Sequence, residues 1–219
     1  MITHLAGRLA HSDVGDLSVE IDVAGVRYEV LVPAFLWPEI QALLDAAPND
    51  DGLGPEIGVH VLYHATANVP VPLLVGFLRR PERDFFRKFT SVEGIGPTRA
   101  VKALNLSVST IARAIEQEDR ATLTRLPGIG PRAADKMIAS LRGKVVAEAA
   151  MQDGAFESPV DLADLGRGRA SVDAADAIAA LGYASGDARR WVDQALADAP
   201  ELETVEELTL AVLRARGSG

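Results

Sequence analysis

Val92-Glu93-Gly94-Ile95-Gly96-Pro97-Thr98-Arg99-Ala100 recurs as Leu126-Pro127-Gly128-Ile129-Gly130-Pro131-Arg132-Ala133-Ala134, at an offset of 34 residues. The match continues beyond the strings, with Lys102 opposite Lys136 and Leu104 opposite Ile138. Each copy has an apolar helical pattern before its glycines and an amphipathic one after them, so the spacing predicts one helical hairpin made twice. Proline directly after Gly-Ile-Gly suits the first turn of a helix, where its missing N–H is no loss. Two glycines let the backbone turn tightly and approach a ligand without Cβ interference. The isoleucine between them is expected to point back into the helix pair. The second helix of each copy opens with unpaired N–H groups and the positive end of its dipole, which suits a phosphate. Candidate DNA contacts are therefore Gly94, Gly96, Thr98, Arg99 and Lys102 in the first copy, and Gly128, Gly130, Arg132 and Lys136 in the second. Such contacts hold a nucleic-acid backbone without reading its bases. One Gly-x-Gly before a helix reads equally well as a plain helix–helix turn; the duplication carries the signal.

Charge supports the same segment. The chain of 219 residues carries a net −9, which at first opposes a nucleic-acid partner. Residues 1–78 hold 2 basic and 10 acidic side chains, 79–144 hold 14 and 7, and 145–219 hold 6 and 14. A basic middle thus lies between two acidic flanks, and the electrostatic footprint is confined to the repeat. With no cysteine in the chain, disulfide scaffolds, Cys-based zinc sites, iron–sulfur clusters and thiol nucleophiles are excluded. The opening Met1-Ile2-Thr3-His4 lacks the basic and apolar stretches of a secretory signal, and no apolar run reaches the roughly 20 residues of a membrane span. A soluble, cytoplasmic protein is the expectation.

Outward from the repeat, the periodicity changes. Val19, Ile21 and Val23 alternate with Glu20 and Asp22, and after Ala24-Gly25 the alternation resumes through Val26, Tyr28, Val30 and Val32. A period of two on both sides of a two-residue turn predicts a β-hairpin. Ile2–Ala10, Val59–Ala65 and Val71–Phe77 are three further candidate strands, Pro38–Leu44 a short helix, and Pro48–Pro55 a loop. Five short strands suggest an OB-like barrel, although a plain β-sandwich fragment satisfies the same pattern. After the repeat, Gly154, Pro159, Gly166 and Gly168 read as a flexible linker. Three short helical patterns follow, Ala174–Leu181, Asp187–Ala197 and Val205–Arg214, with an expected core of Ile178, Leu181, Trp191, Val192, Leu208 and Val212. The expected organisation is α+β: an OB-like barrel at 1–78, tandem helix-hairpin-helix at 79–146, a linker at 147–171, and a UBA-like three-helix bundle at 172–219.

Other constellations carry less. His60 and His64 are four apart but lie in an apparent strand with no third ligand nearby, so no metal site is expected. Neither a Gly-x-Ser-x-Gly elbow nor a Gly-x-x-x-x-Gly-Lys-Ser/Thr loop occurs, which leaves no sign of a hydrolase nucleophile, of nucleotide hydrolysis or of a cofactor. Phe85, Phe86 and Phe89 share one side of a turn and read as core residues. Trp191 reads as core more readily than as a partner-facing aromatic.

The tandem Gly-Ile-Gly-Pro hairpins resemble those of the RuvA family, the Holliday-junction-binding subunits of bacterial branch-migration complexes. Leu73-Leu74-Val75-Gly76-Phe77, Glu82-Arg83-Asp84-Phe85-Phe86 and Ala179-Ala180-Leu181-Gly182-Tyr183 extend the resemblance over nearly the whole chain. It implies a non-catalytic subunit acting in recombination, DNA repair and the SOS response, and a homotetramer that cups a four-way junction. It also implies a mobile C-terminal domain contacting a RuvB-type motor ATPase, with Leu181, Gly182 and Tyr183 as candidate contacts, and a RuvC-type resolvase as a further partner. Two departures stand out. The family's acidic pin is replaced by Ala67-Asn68-Val69-Pro70-Val71-Pro72, which has no carboxylate; Asn68, Val69 and Pro70 are the expected junction-centre residues, and Asp50-Asp51 is the nearest acidic pair. Pro131 also stands where a lysine is common. A helix-hairpin-helix glycosylase or lyase is an alternative, but Arg132 follows the hairpin instead of a lysine, Asp153 falls in the linker, and a β-rich N-terminal module fits that class poorly. A protein-interaction adaptor with vestigial hairpins is a third reading, and it predicts no salt-sensitive DNA binding.

Overall fold

A computed structural model of the chain describes residues 1–46, 53–66, 69–151 and 159–217. Strands β1 (His4–Asp13), β2 (Ser18–Val23), β3 (Val26–Leu31), β4 (Glu56–Thr66) and β5 (Val69–Phe77) close a barrel in the order β1-β2-β3-β5-β4. All neighbours are antiparallel except β3 and β5, which pair in parallel at Leu31 and Val75. This is the OB-like barrel that the strand pattern suggested, and closure removes the sandwich alternative. The β2–β3 hairpin turns at Ala24 and Gly25, with φ of 54° and 86°. Two consecutive positive φ values fit a right-twisted two-residue turn, and the Asp22 carboxylate accepts the Gly25 N–H at 3.0 Å. Val19, Ile21, Val30 and Val32 are buried as the alternation requires, whereas Val26 near the turn is exposed.

A helix α1 (Trp37–Ala46), preceded by one 3-10 turn, lies between β3 and β4. Helices α2 (Arg80–Phe89), α3 (Pro97–Ala103), α4 (Val108–Glu116), α5 (Arg120–Thr124), α6 (Pro131–Leu141) and the short α7 (Val146–Ala149) follow the barrel. Phe85, Phe86 and Phe89 are fully buried, as are Ile111, Ile115, Met137 and Leu141, so the apolar spacing of this segment is core spacing. Barrel and hairpins belong to one compact unit, Met1–Val160, instead of separating at residue 78. Contacts through Phe77, Phe35 and Arg79 help to join them. Phe77 of β5 meets Phe86 of α2 with ring centroids 5.1 Å apart. The Phe35 N–H donates to the Leu104 carbonyl at 2.9 Å. The Arg79 guanidinium reaches Glu39 of α1 at 2.9 Å and the buried Glu82 of α2 at 2.8 Å.

Asp161–Gly219 is the second compact unit, built from α8 (Leu162–Ala180), α9 (Ser185–Asp198) and α10 (Val205–Gly217). The linker expected over 147–171 is therefore helical at both ends. α8 begins at Leu162 and runs through Gly166 and Gly168, each of which costs about 1 kcal/mol relative to alanine in a helix. Burial of Ala170, Ala174, Ala175 and Ile178 against α9 and α10, together with the Arg169–Asp173 ion pair at 3.1 Å, compensates that cost. Residues 152–158, with Asp153 and Gly154, lie outside the described residues. The bundle core contains Ile178, Val192, Leu208 and Val212 as expected, and it adds Ala170, Ala174, Ala175 and Ala188. Leu181 is not in it: the residue is 61% exposed, because α8 ends just before it and Gly182, at φ 99°, turns the chain away. Trp191 is only partly buried, edge-on to Tyr183 at 5.4 Å, with the Arg216 guanidinium 4.1 Å from its ring centre.

Candidate nucleic-acid interface

Each copy of the repeat is a turn between helices. In the first, the Ile95 N–H donates to the Val92 carbonyl at 3.1 Å; in the second, the Ile129 N–H donates to Leu126 at 2.9 Å. These bonds close four-residue turns whose third residues, Gly94 and Gly128, have φ of 85° and 76°. Glycine is needed there because an L side chain in that region clashes with its own backbone. Ile95 and Ile129 are each 3% exposed and anchor the turns in the helical core.

The second glycine of each pair has a different reason. Gly96 and Gly130 have extended φ of −81° and −91°, which any residue adopts, and they cap α3 and α6. A Cβ at either position meets nothing within 4 Å. Neither backbone strain nor crowding demands glycine at these two places, where its part in the fold is that of an N-cap. Neither helix has a side-chain cap hydrogen bond, and each has proline at its start, while in α6 the Ala133 N–H turns back to the Gly130 carbonyl at 3.0 Å.

The candidate cations divide into two groups. Lys102, in the last turn of α3, and Arg132, in the first turn of α6, are exposed, as is Thr98. Arg99 and Lys136 instead connect the two copies. From α3, Arg99 donates to the Gly94 carbonyl of its own turn at 3.0 Å and to the Gly128 carbonyl of the other. From α6, Lys136 reaches the Glu93 carboxylate of the first turn at 2.9 Å and holds that carboxyl below its usual range. The cross-links escape sequence reading because they use non-equivalent positions of the repeat: Arg99 is opposite Ala133, and Glu93 is opposite Pro127.

The remaining candidates lie elsewhere. Asn68 and Asp50-Asp51 fall outside the described residues, and Val69 and Pro70 open β5, with Val69 paired to Thr66. Leu181 and Tyr183 are exposed on the second unit. His60 lies edge-on to His4 at 5.3 Å, and its pKa is lowered, first by burial and then by the neighbouring His4, Arg83 and Arg80. Among the described residues there is no group of three or more His, Cys, Asp or Glu placed to hold a metal ion, and no helix is long and apolar enough to cross a membrane.

A five-stranded OB-like barrel joined to two Gly-Ile-Gly-Pro hairpins defines a tandem helix-hairpin-helix protein, and residues 86–144 match the family described as the SAM-like helix-hairpin-helix tandem. Over nearly its whole length the chain is 35% identical to a protein of Desulfatibacillum aliphaticivorans, across 98% of each chain. It is 34% identical to one of Rhodopirellula baltica, covering 97% of this chain and 98% of that one. A third, from Symbiobacterium thermophilum, is 32% identical over 98% of both. Each of the three is named Holliday junction branch migration complex subunit RuvA. The chain belongs to the RuvA family.

Proposed function

We propose that this protein binds four-way DNA junctions as the non-catalytic subunit of a branch-migration complex. The observation that carries the reading is the pair of like hairpins whose second glycines, Gly96 and Gly130, have open space where a side chain would stand. Both stand in the one net-positive part of the chain. Phosphates are held by the turn and first-helix backbone at Gly94, Gly96, Thr98, Gly128 and Gly130, with Lys102, Arg132 and Lys136 adding charge. Family membership and the names of the relatives support a junction as the DNA form and a motor as the partner. The finer assignments belong to the same proposal: a homotetramer in the cytoplasm, acting in recombination and repair, working with a RuvB-type ATPase and alongside a RuvC-type resolvase. Within this reading, the second unit contacts the motor through the exposed Leu181-Gly182-Tyr183 corner. The neutral Asn68-Val69-Pro70 stretch stands at the junction centre.

The test is the affinity of the full chain for a four-way junction against a linear duplex of equal length. The expected result is preferential junction binding that weakens steeply with salt, because neutralised phosphates release their counterions. Equal affinity for both DNAs would remove the junction from the proposal, and no salt-sensitive binding would remove DNA altogether.

A further inference from the structure

Arg99 is the one candidate cation whose guanidinium is shared between the two hairpin turns. One terminal nitrogen donates to the Gly94 carbonyl at 3.0 Å and the other to the Gly128 carbonyl, 29 residues along the chain. Its stem lies over the second turn: a Cβ placed on Gly128 would stand 3.4 Å from Arg99 Nε and 3.9 Å from its Cγ. Gly128 thus serves its left-handed turn, and the arginine packs beside it at van der Waals distance. Both carbonyls belong to the residues with positive φ, so the bridge ties together the most conformationally demanding residue of each turn. A planar guanidinium with paired donors can span two acceptors at fixed separation, and an ammonium cannot reproduce that fork.

We propose that Arg99 is a positioning residue: it sets the two hairpin mouths at a fixed spacing, so that both engage the phosphates of a bound junction together, and it is not itself a phosphate contact. The proposal rests on the junction-binding reading and deepens it. Two phosphate sites gain from each other only when their separation matches the ligand, since a mismatch must be corrected during binding at the expense of affinity. The Lys136–Glu93 pair crosses the same gap from the opposite side, but both side chains are largely exposed and such a pair adds little holding power.

The experiment compares the full-length parent with Arg99→Met and Arg99→Lys, by fluorescence anisotropy on a labelled four-way junction across a salt series. Hydrogen exchange over residues 126–134 is followed by mass spectrometry. Loss of the bridge in Arg99→Met is expected to weaken junction binding about tenfold, the scale of one charge-assisted hydrogen bond. The slope of log affinity against log salt should match the parent. Arg99→Lys, with its charge kept and its fork lost, should weaken binding similarly, and both variants should exchange faster in the second turn, far in sequence from the substitution. Arg99 would instead be a phosphate contact if Arg99→Met lowered the salt slope by about 0.9 and Arg99→Lys restored affinity. Unchanged affinity in both variants would also overturn the proposal. A parent that fails to bind the junction would overturn the functional reading itself, a result distinct from any of these.

Discussion

At the scale of single residues, the two glycines of each turn separate folding from binding. Gly94 and Gly128 hold positive φ, so alanine at either is expected to cost about 1–2 kcal/mol of stability, measurable by urea or thermal unfolding. The two should cost about the same, because a Cβ on Gly128 meets the Arg99 stem only at van der Waals distance and the space around Gly94 is open. Gly96→Ala and Gly130→Ala should cost less, about 0.5 kcal/mol through the poorer N-cap, since φ is ordinary and no neighbour is near. Their effect should appear in junction affinity, and more strongly with a bulkier side chain. Equal loss of stability at both kinds of position would show that the open space serves the fold after all. The exposed Lys102 supplies a second residue-scale test. Lys102→Met should weaken binding alike on every DNA sequence and flatten the salt slope by about one unit, whereas an unchanged slope would place this ammonium away from phosphate.

Individual elements owe their placement to a few joints. Phe86 of α2 is fully buried against Phe77 of the last barrel strand, and Phe86→Ala should destabilise the first unit by about 3–5 kcal/mol in denaturant titrations. A loss below about 1 kcal/mol would mean that this joint is not a core contact. Helix α4, which separates the two hairpins, starts at Ser107, whose hydroxyl accepts the Thr110 N–H at 3.3 Å; Ser107→Ala is expected to cost about 1 kcal/mol. Glu82 at the start of α2 titrates above the usual carboxylate range, because burial outweighs its hydrogen bonds and attraction to Arg79. A folded-state pKa above the unfolded one means that the native state binds the extra proton. The stabilising contribution is therefore complete below the ordinary glutamate value of 4.5 and is lost as pH rises through the raised one. Parent minus Glu82→Gln stability should accordingly grow as pH is lowered from neutral towards 4.5; a difference independent of pH would show that Glu82 titrates normally.

For the whole molecule, the division at Val160 and Asp161 makes a clean prediction. The second unit has its own core and an acidic surface that repels phosphate at short range. A chain ending at Val160 should keep its affinity for a four-way junction within about twofold, and lose any stimulation of a partner ATPase's branch migration. A large fall in junction affinity on truncation would instead bring the second unit into the DNA-binding surface.

What the sequence determined by itself was local. The duplicated hairpins, the Ala24-Gly25 turn, the buried faces of β2 and β3 and the phenylalanine cluster were all legible, because turn chemistry and periodicity are relations between near neighbours. The same locality explains the misreadings. Glycines at 166 and 168 looked like linker until the burial of Ala170, Ala174 and Ile178 showed why the helix survives them, and Leu181 looked like core until the end of α8 placed it outside. Barrel closure through β1 with β4 and the parallel pairing of β3 with β5 depended on partners distant in the chain. So did the roles of the basic residues: Arg99 meets a carbonyl 29 residues on, and Lys136 a carboxylate 43 residues back. A guanidinium carries the same charge and donors whether it faces a phosphate or spans two turns, and only the packing of the hairpins against each other decides which acceptors come within its reach.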